Sequence, residues 1–265
     1  MPLSPLLAAY DNVLLDLDGC VWIGDACTRR APEAIGELRA AGKAIMFLTN
    51  DSRRSPEEFV RKLWSLGLRA SLEEVVTAGA AIQHVLAERY GASNAYVIGS
   101  SAIYRHVADA GLRIVNGTDR ESHADVVVLA GHDEFDYGEL RTATQALTRG
   151  AELIAADSDR TFPMPDGPWP GTGAIVAALE FAAERKAEIV GKPEIQVFLT
   201  ALDRLDPGRS LVIGDRLDAD LAGAAAAGLD AAIVLTGVTT RAQAEAASDP
   251  APVAIAEDLY SLVAS

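Results

Sequence analysis

Two aspartates separated by one residue, Asp16 and Asp18, stand where the apolar run Val13-Leu14-Leu15 gives way to Gly19 and Cys20. The run reads as a buried β-strand. Side chains at i and i+2 of a strand share a face, so the two carboxylates are expected side by side at its C-terminal end. In open α/β sheets that end binds ligands. A carboxylate pair needs a metal, a shared proton or a cationic partner. Taken alone, the tetrad also reads as an ordinary strand-end turn, where Asp and Gly are common. Three further strand ends carry polar groups: Thr49 with Asn50, Lys192, and Asp215 with Asp218 and Asp220. If one parallel sheet holds all four, they converge at its carboxyl edge.

Such a set has the parts for phosphoryl transfer. A carboxylate attacks phosphorus and forms an acyl phosphate that water then cleaves. Charge on the transferring group is met by a metal ion, an ammonium, and hydroxyl or backbone N–H donors. A second acid protonates the leaving oxygen and later activates water. We assign Asp16 as nucleophile and Asp18 as general acid/base, with Asp16 and Asp215 as ligands of Mg²⁺, which suits hard oxygen donors. Thr49 and the N–H of Asn50 bind the phosphate, and Lys192 offsets its charge. Each part has a plain alternative. Thr49-Asn50 reads as a turn, and Gly191-Lys192-Pro193 as a surface turn before a helix. Asp215 reads as a helix cap, and Asp218 and Asp220 as acidic residues favouring a helix N-terminus. The weight lies in their joint occurrence in this order.

The elements that position these groups alternate. Helices are expected over Pro32 to Ala41, Ser55 to Leu66 and Ala80 to Tyr90, with strands at Ala44 to Leu48 and Val75 to Thr77. A second rhythm follows. Strands are expected at Ala95 to Ile98, Asp125 to Leu129 and Leu153 to Ala155, and helices at Ala102 to Ala110, Tyr137 to Leu147 and Ala174 to Glu184. Between Asp157 and Gly173 lies a stretch with Pro163, Pro165, Pro168 and Pro170, read as a long irregular loop. Strands at Glu188 to Val190, Ser210 to Ile213, Ala232 to Leu235 and Val253 to Ile255 close the chain, with helices at Glu194 to Leu202, Leu217 to Ala227 and from Glu257. The alternation predicts an α/β protein, a mainly parallel sheet with helices on both faces. A cap domain over 80–186 is expected inside a discontinuous core, 1–79 plus 187–265.

Composition narrows the classes. With 265 residues, 49% of them hydrophobic and 23% charged, the chain is an ordinary globular protein. A net charge of −15 argues against general nucleic-acid or anionic-membrane binding. No stretch reads as a membrane span, the interval Leu221 to Val238 being broken by Asp230. Two cysteines, Cys20 and Cys27, make no disulfide framework, so a reducing cytoplasm is the expected location. Cys20 reads as a small buried thiol.

The four segments Asp16-x-Asp18-Gly19, Leu48-Thr49-Asn50, Gly191-Lys192-Pro193 and Gly214-Asp215-Arg216-Leu217-Asp218-Ala219-Asp220 resemble the motifs of the haloacid dehalogenase (HAD) superfamily. The large insert between the second and third is similar to the class IIA branch of NagD-like and para-nitrophenyl phosphatases, and Pro170-Gly171-Thr172-Gly173 resembles that branch's cap phrase. The resemblance implies a Rossmann-like core, an inserted α/β cap of the C2 type, and Mg²⁺-dependent hydrolysis of a small phosphorylated metabolite. It implies that the backbone carbonyl of Asp18 joins the metal shell and that Asp220 supports the site. It also makes a homodimer through the cap plausible. Asp18 argues against dehalogenase chemistry, whose enzymes lack that aspartate. Residues implied to contact substrate from the cap are His132 with Asp133, and Asp159 to Phe162. His132 and Phe162 depart from the pattern of pyridoxal-phosphate phosphatases. Three other departures stand out. Cys20 replaces Thr, Asp51 adds negative charge beside Asn50, and Asp157-Ser158-Asp159 replaces Asn-x-Asp. A phosphotransferase or mutase on the same core, and a non-enzymatic phosphate-binding module, are the rival readings.

Overall fold

The computed structural model describes residues 3–132, 134–164 and 167–264. The chain divides into two compact units, each with its own apolar cluster. The first comprises Met1–Thr49, Pro56–Val76 and Lys192–Ser265. The second comprises Asn50–Ser55 and Thr77–Gly191.

The first unit carries a six-stranded sheet in the order Ala254–Ala256, Asp230–Val234, Ser210–Gly214, Asn12–Asp16, Ala44–Thr49, Val75–Thr77. Its two middle strands, Asn12–Asp16 and Ser210–Gly214, are buried at every residue. That burial on both faces explains their near-continuous apolar sequence. They pair in parallel, Leu15 opposite Ile213, while Asp16 lies opposite Leu48 of Ala44–Thr49. Successive strands run outward from this middle pair in both directions, which makes it the topological switch point where α/β sheets bind ligands. The helix Ala31–Ala40 buries Ala31, Ala34, Ile35 and Leu38, an i, i+3, i+4, i+7 stripe, in a cluster with Leu15, Phe47 and Ile213. The helix Pro56–Ser65 buries Phe59, Val60 and Leu63 in the same cluster.

The second unit has a five-stranded parallel sheet in the order Glu188–Ile189, Glu152–Ala155, Val126–Leu129, Asn94–Ile98, Arg113–Ile114. Helices Tyr137–Thr148 and Thr172–Ala183 pack Ala143, Leu147, Val176 and Leu179 into its cluster. Among the described residues, no helix is long and apolar enough to cross a membrane.

Four differences from the expected elements have physical causes. The stretch after Asp157 is not irregular: Thr161–Met164 pairs antiparallel with Gly167–Pro170. A two-stranded ribbon has only edges, so its prolines cost no interior ladder bond. Asp157 ties the ribbon's base, accepting from the Asp159 N–H at 3.0 Å and the Thr172 hydroxyl at 2.9 Å. Second, Glu188–Ile189 completes the second unit's sheet rather than the first's, so Lys192 does not follow a core strand. Third, the helix expected over Leu217 to Ala227 splits into a π-helical turn, Leu217–Leu221, and an α-helix, Ala222–Ala226. Fourth, a short hairpin, Trp22–Ile23 with Ala26–Cys27, follows Asp18. Strands of two residues carry no periodic signal.

Two glycines test the packing. A β-carbon at Gly223 would lie 2.5 Å from the Phe198 ring and 2.9 Å from the Pro193 carbonyl, whereas one at Gly36, inside Ala31–Ala40, would meet nothing within 4 Å. Gly223→Ala is expected to destabilise by about 1–3 kcal/mol, and Gly36→Ala to stabilise by roughly 0.5–1 kcal/mol. Thermal unfolding of the two variants reads both signs.

Asp157 gives a pH test. Burial first, opposed by its N–H and hydroxyl donors, raises it from 3.8 to about 6. A carboxylate raised on folding leaves stability intact below the unfolded value and costs it as pH climbs to the folded one. Asp157→Asn removes that cost, so the variant should gain stability relative to the parent between pH 4 and 6, by about 3 kcal/mol at most. Parallel urea titrations at pH 4 and 7 measure the difference.

Candidate active site

The strand Asn12–Asp16 ends with Asp16 buried at the sheet's carboxyl edge. Beside it, Ser210–Gly214 delivers Asp215, also buried. The π-helical turn swings Asp220 inward, where its Oδ2 accepts from the Arg216 N–H at 3.1 Å. Such turns recur at functional positions because the extra residue re-aims a side chain. Asp16, Asp215 and Asp220 each offer a carboxylate oxygen within 4.8 Å of the others. Into this cluster comes the Lys192 ammonium, 4% exposed, which donates to Asp16 Oδ1 and, at 2.7 Å, to Asp220 Oδ1. Thr49 is buried at the end of the neighbouring strand, one residue past the partner of Asp16.

Burial governs the electrostatics here. It would lower Lys192, but Asp16 and Asp220 outweigh it and hold the ammonium above its ordinary value. Burial pushes Asp16 well up despite Lys192, with Asp220 and Asp215 adding to the rise. Burial likewise lifts Asp215 to about 6, against the donation of the Val238 N–H at 2.6 Å. Cys20 is fully buried and its thiol is pushed well up by the same burial, as a packing residue requires.

The residues fit a divalent cation. Asp220 has both oxygens engaged, by Lys192 and Arg216. Asp215 has Oδ2 on Val238, while its Oδ1 is buried with no hydrogen-bond partner among the described residues. Gly19, at φ +89°, closes over this carboxylate; a β-carbon there would lie 2.6 Å from it. A buried carboxylate oxygen without a donor is costly, and a hard cation bound at this carboxylate cluster would satisfy it.

The expected face-sharing of Asp16 and Asp18 does not occur. The strand ends at Asp16, so period two stops there. Asp18 is exposed, its side chain outside the carboxylate cluster, and its Oδ1 accepts from the Trp22 indole N–H at 2.8 Å. Asp218 is also apart: it is exposed and bound by Arg216 at 3.0 Å, which holds it below the ordinary range. Three residues that bond to these segments escaped the sequence reading: Trp22, Val238, and Thr236, whose hydroxyl donates to the Gly19 carbonyl at 2.5 Å. Thr236-Gly237 after a core strand was the available signal.

Asn50, His132, Asp159 and Phe162 belong to the second unit. His132 Nε2 lies 3.1 Å from Glu139 Oε2, a carboxylate that also caps Tyr137–Thr148. Asp159 accepts the Gly173 N–H through its backbone at 2.9 Å. Phe162 stands opposite Trp169 in the ribbon, and Asp133 lies outside the described residues. The added charge of Asp51 is locally met, accepting from Arg53 N at 2.9 Å and Nε at 3.2 Å.

Comparison with known proteins agrees with this geometry. A haloacid dehalogenase-like hydrolase model matches residues 13–113, and a HAD-hydrolase-like model matches residues 189–262. The chain is 36% identical over 255 residues to D-glycerol 3-phosphate phosphatase of Mycobacterium tuberculosis, covering 96% of this chain and 71% of the relative. A crystal structure of glycerol phosphate phosphatase from that organism in complex with magnesium superposes with a TM-score of 0.92 at 35% identity, covering 99% of this chain and 79% of the other. A p-nitrophenyl phosphatase from Archaeoglobus fulgidus gives 0.87 at 30% identity, with 96% and 98% covered.

Metal binding is measurable without turnover. At a hundredfold excess over Kd, Mg²⁺ should add about 2.7 kcal/mol of stability, raising Tm by roughly 5–10 °C. Asp215→Asn should fold and lose most of that shift; an undiminished shift would place the cation elsewhere.

Proposed function

Because the chain belongs to the haloacid dehalogenase-like hydrolases, we propose that it cleaves small phosphate monoesters with Mg²⁺ by way of a phosphoaspartate on Asp16. The observation that carries the reading is one buried ammonium shared by Asp16 and Asp220 beside the unpartnered Asp215 oxygen. That arrangement supports reading Asp16 as nucleophile, Lys192 as the fixed positive charge and Asp215 as a cation ligand at one switch point.

Asp16 attacks phosphorus as the bond to the leaving oxygen breaks. The Asp18 carboxyl gives its proton to that oxygen. Asp18, now a carboxylate, takes a proton from water as the water oxygen attacks phosphorus and the Asp16 acyl phosphate bond breaks. Lys192 keeps the nucleophile oriented and offsets charge on the transferring group, and Asp220 positions Lys192. The Thr49 hydroxyl and the Asn50 N–H bind phosphate oxygens. Asp16 and Asp215, with the Asp18 carbonyl, would hold Mg²⁺, which would supply charge neutralisation of the phosphoryl oxygens.

The second unit we assign to substrate selection, with Asp159 and Phe162 as contacts. His132 is a weaker candidate, since Glu139 already engages its Nε2. The named relatives make glycerol phosphates the first substrates to try. Transfer to a sugar hydroxyl instead of water is separated by product analysis with and without an acceptor.

With Mg²⁺, the protein should release inorganic phosphate from para-nitrophenyl phosphate and glycerol phosphate, and EDTA should stop it. Asp16→Asn should lower kcat by at least roughly 10³-fold with the fold retained. Residual turnover near the parent's would remove Asp16 as nucleophile.

A further inference from the structure

Trp22 is fully buried, yet its indole N–H reaches an exposed carboxylate, Asp18 Oδ1, at 2.8 Å. A buried indole N–H needs an acceptor, and here the acceptor is the group assigned above as general acid. The ring itself has little freedom. The Phe59 ring lies parallel to it, centroids 6.4 Å apart and planes 3° from parallel. The Lys62 ammonium stands 4.3 Å from the indole centroid and is itself bound to the Gly24 carbonyl at 2.8 Å, at the turn of the Trp22–Cys27 hairpin. The backbone closes the same loop: Trp22 N donates to Leu17 O at 3.0 Å, and Gly19 N to Trp22 O at 2.7 Å. Asp18 is thus held by the Trp22 indole N–H, while the Trp22 main chain bonds to Leu17 and Gly19, the residues on either side of it.

We propose that Trp22 is the positioning residue of the general acid, its N–H fixing Asp18 through Oδ1 and leaving Oδ2 to exchange the proton with the leaving oxygen. This rests on the acid/base reading of Asp18. An exposed aspartate otherwise rotates about two side-chain bonds, and proton transfer falls steeply when a donor is misplaced by an ångström. Helix Pro56–Ser65, which supplies Phe59 and Lys62, thereby acts on the chemistry through Trp22 without touching the reacting atoms.

The test is leaving-group dependence. A nitrophenolate departs without a proton; a glycerol alkoxide does not. For both esters kcat/KM covers the steps through transfer to Asp16, so it isolates leaving-group departure. Trp22→Phe keeps an aromatic ring at this position but removes the N–H together with part of the indole's volume. It should lower kcat/KM on glycerol phosphate roughly 10- to 100-fold and on para-nitrophenyl phosphate less than about 3-fold, with the Mg²⁺-induced Tm shift unchanged. Asp18→Asn, run alongside, should show the same pattern more strongly. Equal losses on both esters, or no loss on glycerol phosphate while Asp18→Asn shows the dependence, would overturn the role of Trp22 alone. A flat response of Asp18→Asn would overturn the acid assignment and this inference with it. If Trp22→Phe does not fold, the benzothienyl analogue at position 22 has the indole's shape without the N–H and answers the same question.

Discussion

One ammonium buried among three carboxylates sets the terms for the rest of the first unit. Lys192 bonds to two of them, Asp16 and Asp220, and the third, Asp215, is left with a buried oxygen that no donor among the described residues reaches. Separating these charges from water is expensive, and a single cation does not cover it. The fold answers in two ways. Main-chain N–H groups at Val238 and Arg216 bind the carboxylates that Lys192 does not fully satisfy. Glycines at 19 and 237 remove the side chains that would otherwise fill the space at Asp215. The net charge of −15 is no obstacle to an anionic ester, since the sign that matters is that of a bound metal and one lysine at the strand ends.

The strand ends were legible because central parallel strands are buried on both faces. An unbroken apolar run that stops at a polar residue then has one reading, and Asp16, Thr49 and Asp215 were placed by it. Lys192 obeyed a different logic. It follows Glu188–Ile189, an edge strand of the other unit's sheet, and enters the first unit only at the motif itself. Local pattern tells strand from helix but not which sheet a strand joins. The same limit hid the Thr161–Pro170 ribbon: four prolines rule out a sheet interior, and a ribbon has no interior to rule out.

The acidic departures from the family pattern, Asp51 and Asp157, are bound within the second unit rather than left as free charge. Asp51 is closed into a turn by Arg53, and Asp157 holds the ribbon to Thr172. Neither partner is predictable from the aspartate alone. Arg53 is two residues away but must bend back, and Thr172 is brought near by the ribbon. Gly171 and Gly173 share that origin, since the Asp159 and Ser158 carbonyls occupy the space their side chains would need.

The two aspartates of the first motif show how a shared sequence pattern yields unlike groups. Had the strand continued, Asp16 and Asp18 would face the same way, compete for the same cation and titrate as a pair. The strand stops, and two residues suffice to move the second carboxylate from a buried cluster to an exposed turn beside an indole. The double displacement proposed for Asp16 and Asp18 needs that asymmetry. Its nucleophile has to stay ionised beside lysine and metal, while its acid has to gain and lose a proton within each cycle. The proposed acid is the carboxylate whose side chain stays outside the buried cluster, and the turn after Asp16 is what puts the Asp18 side chain there.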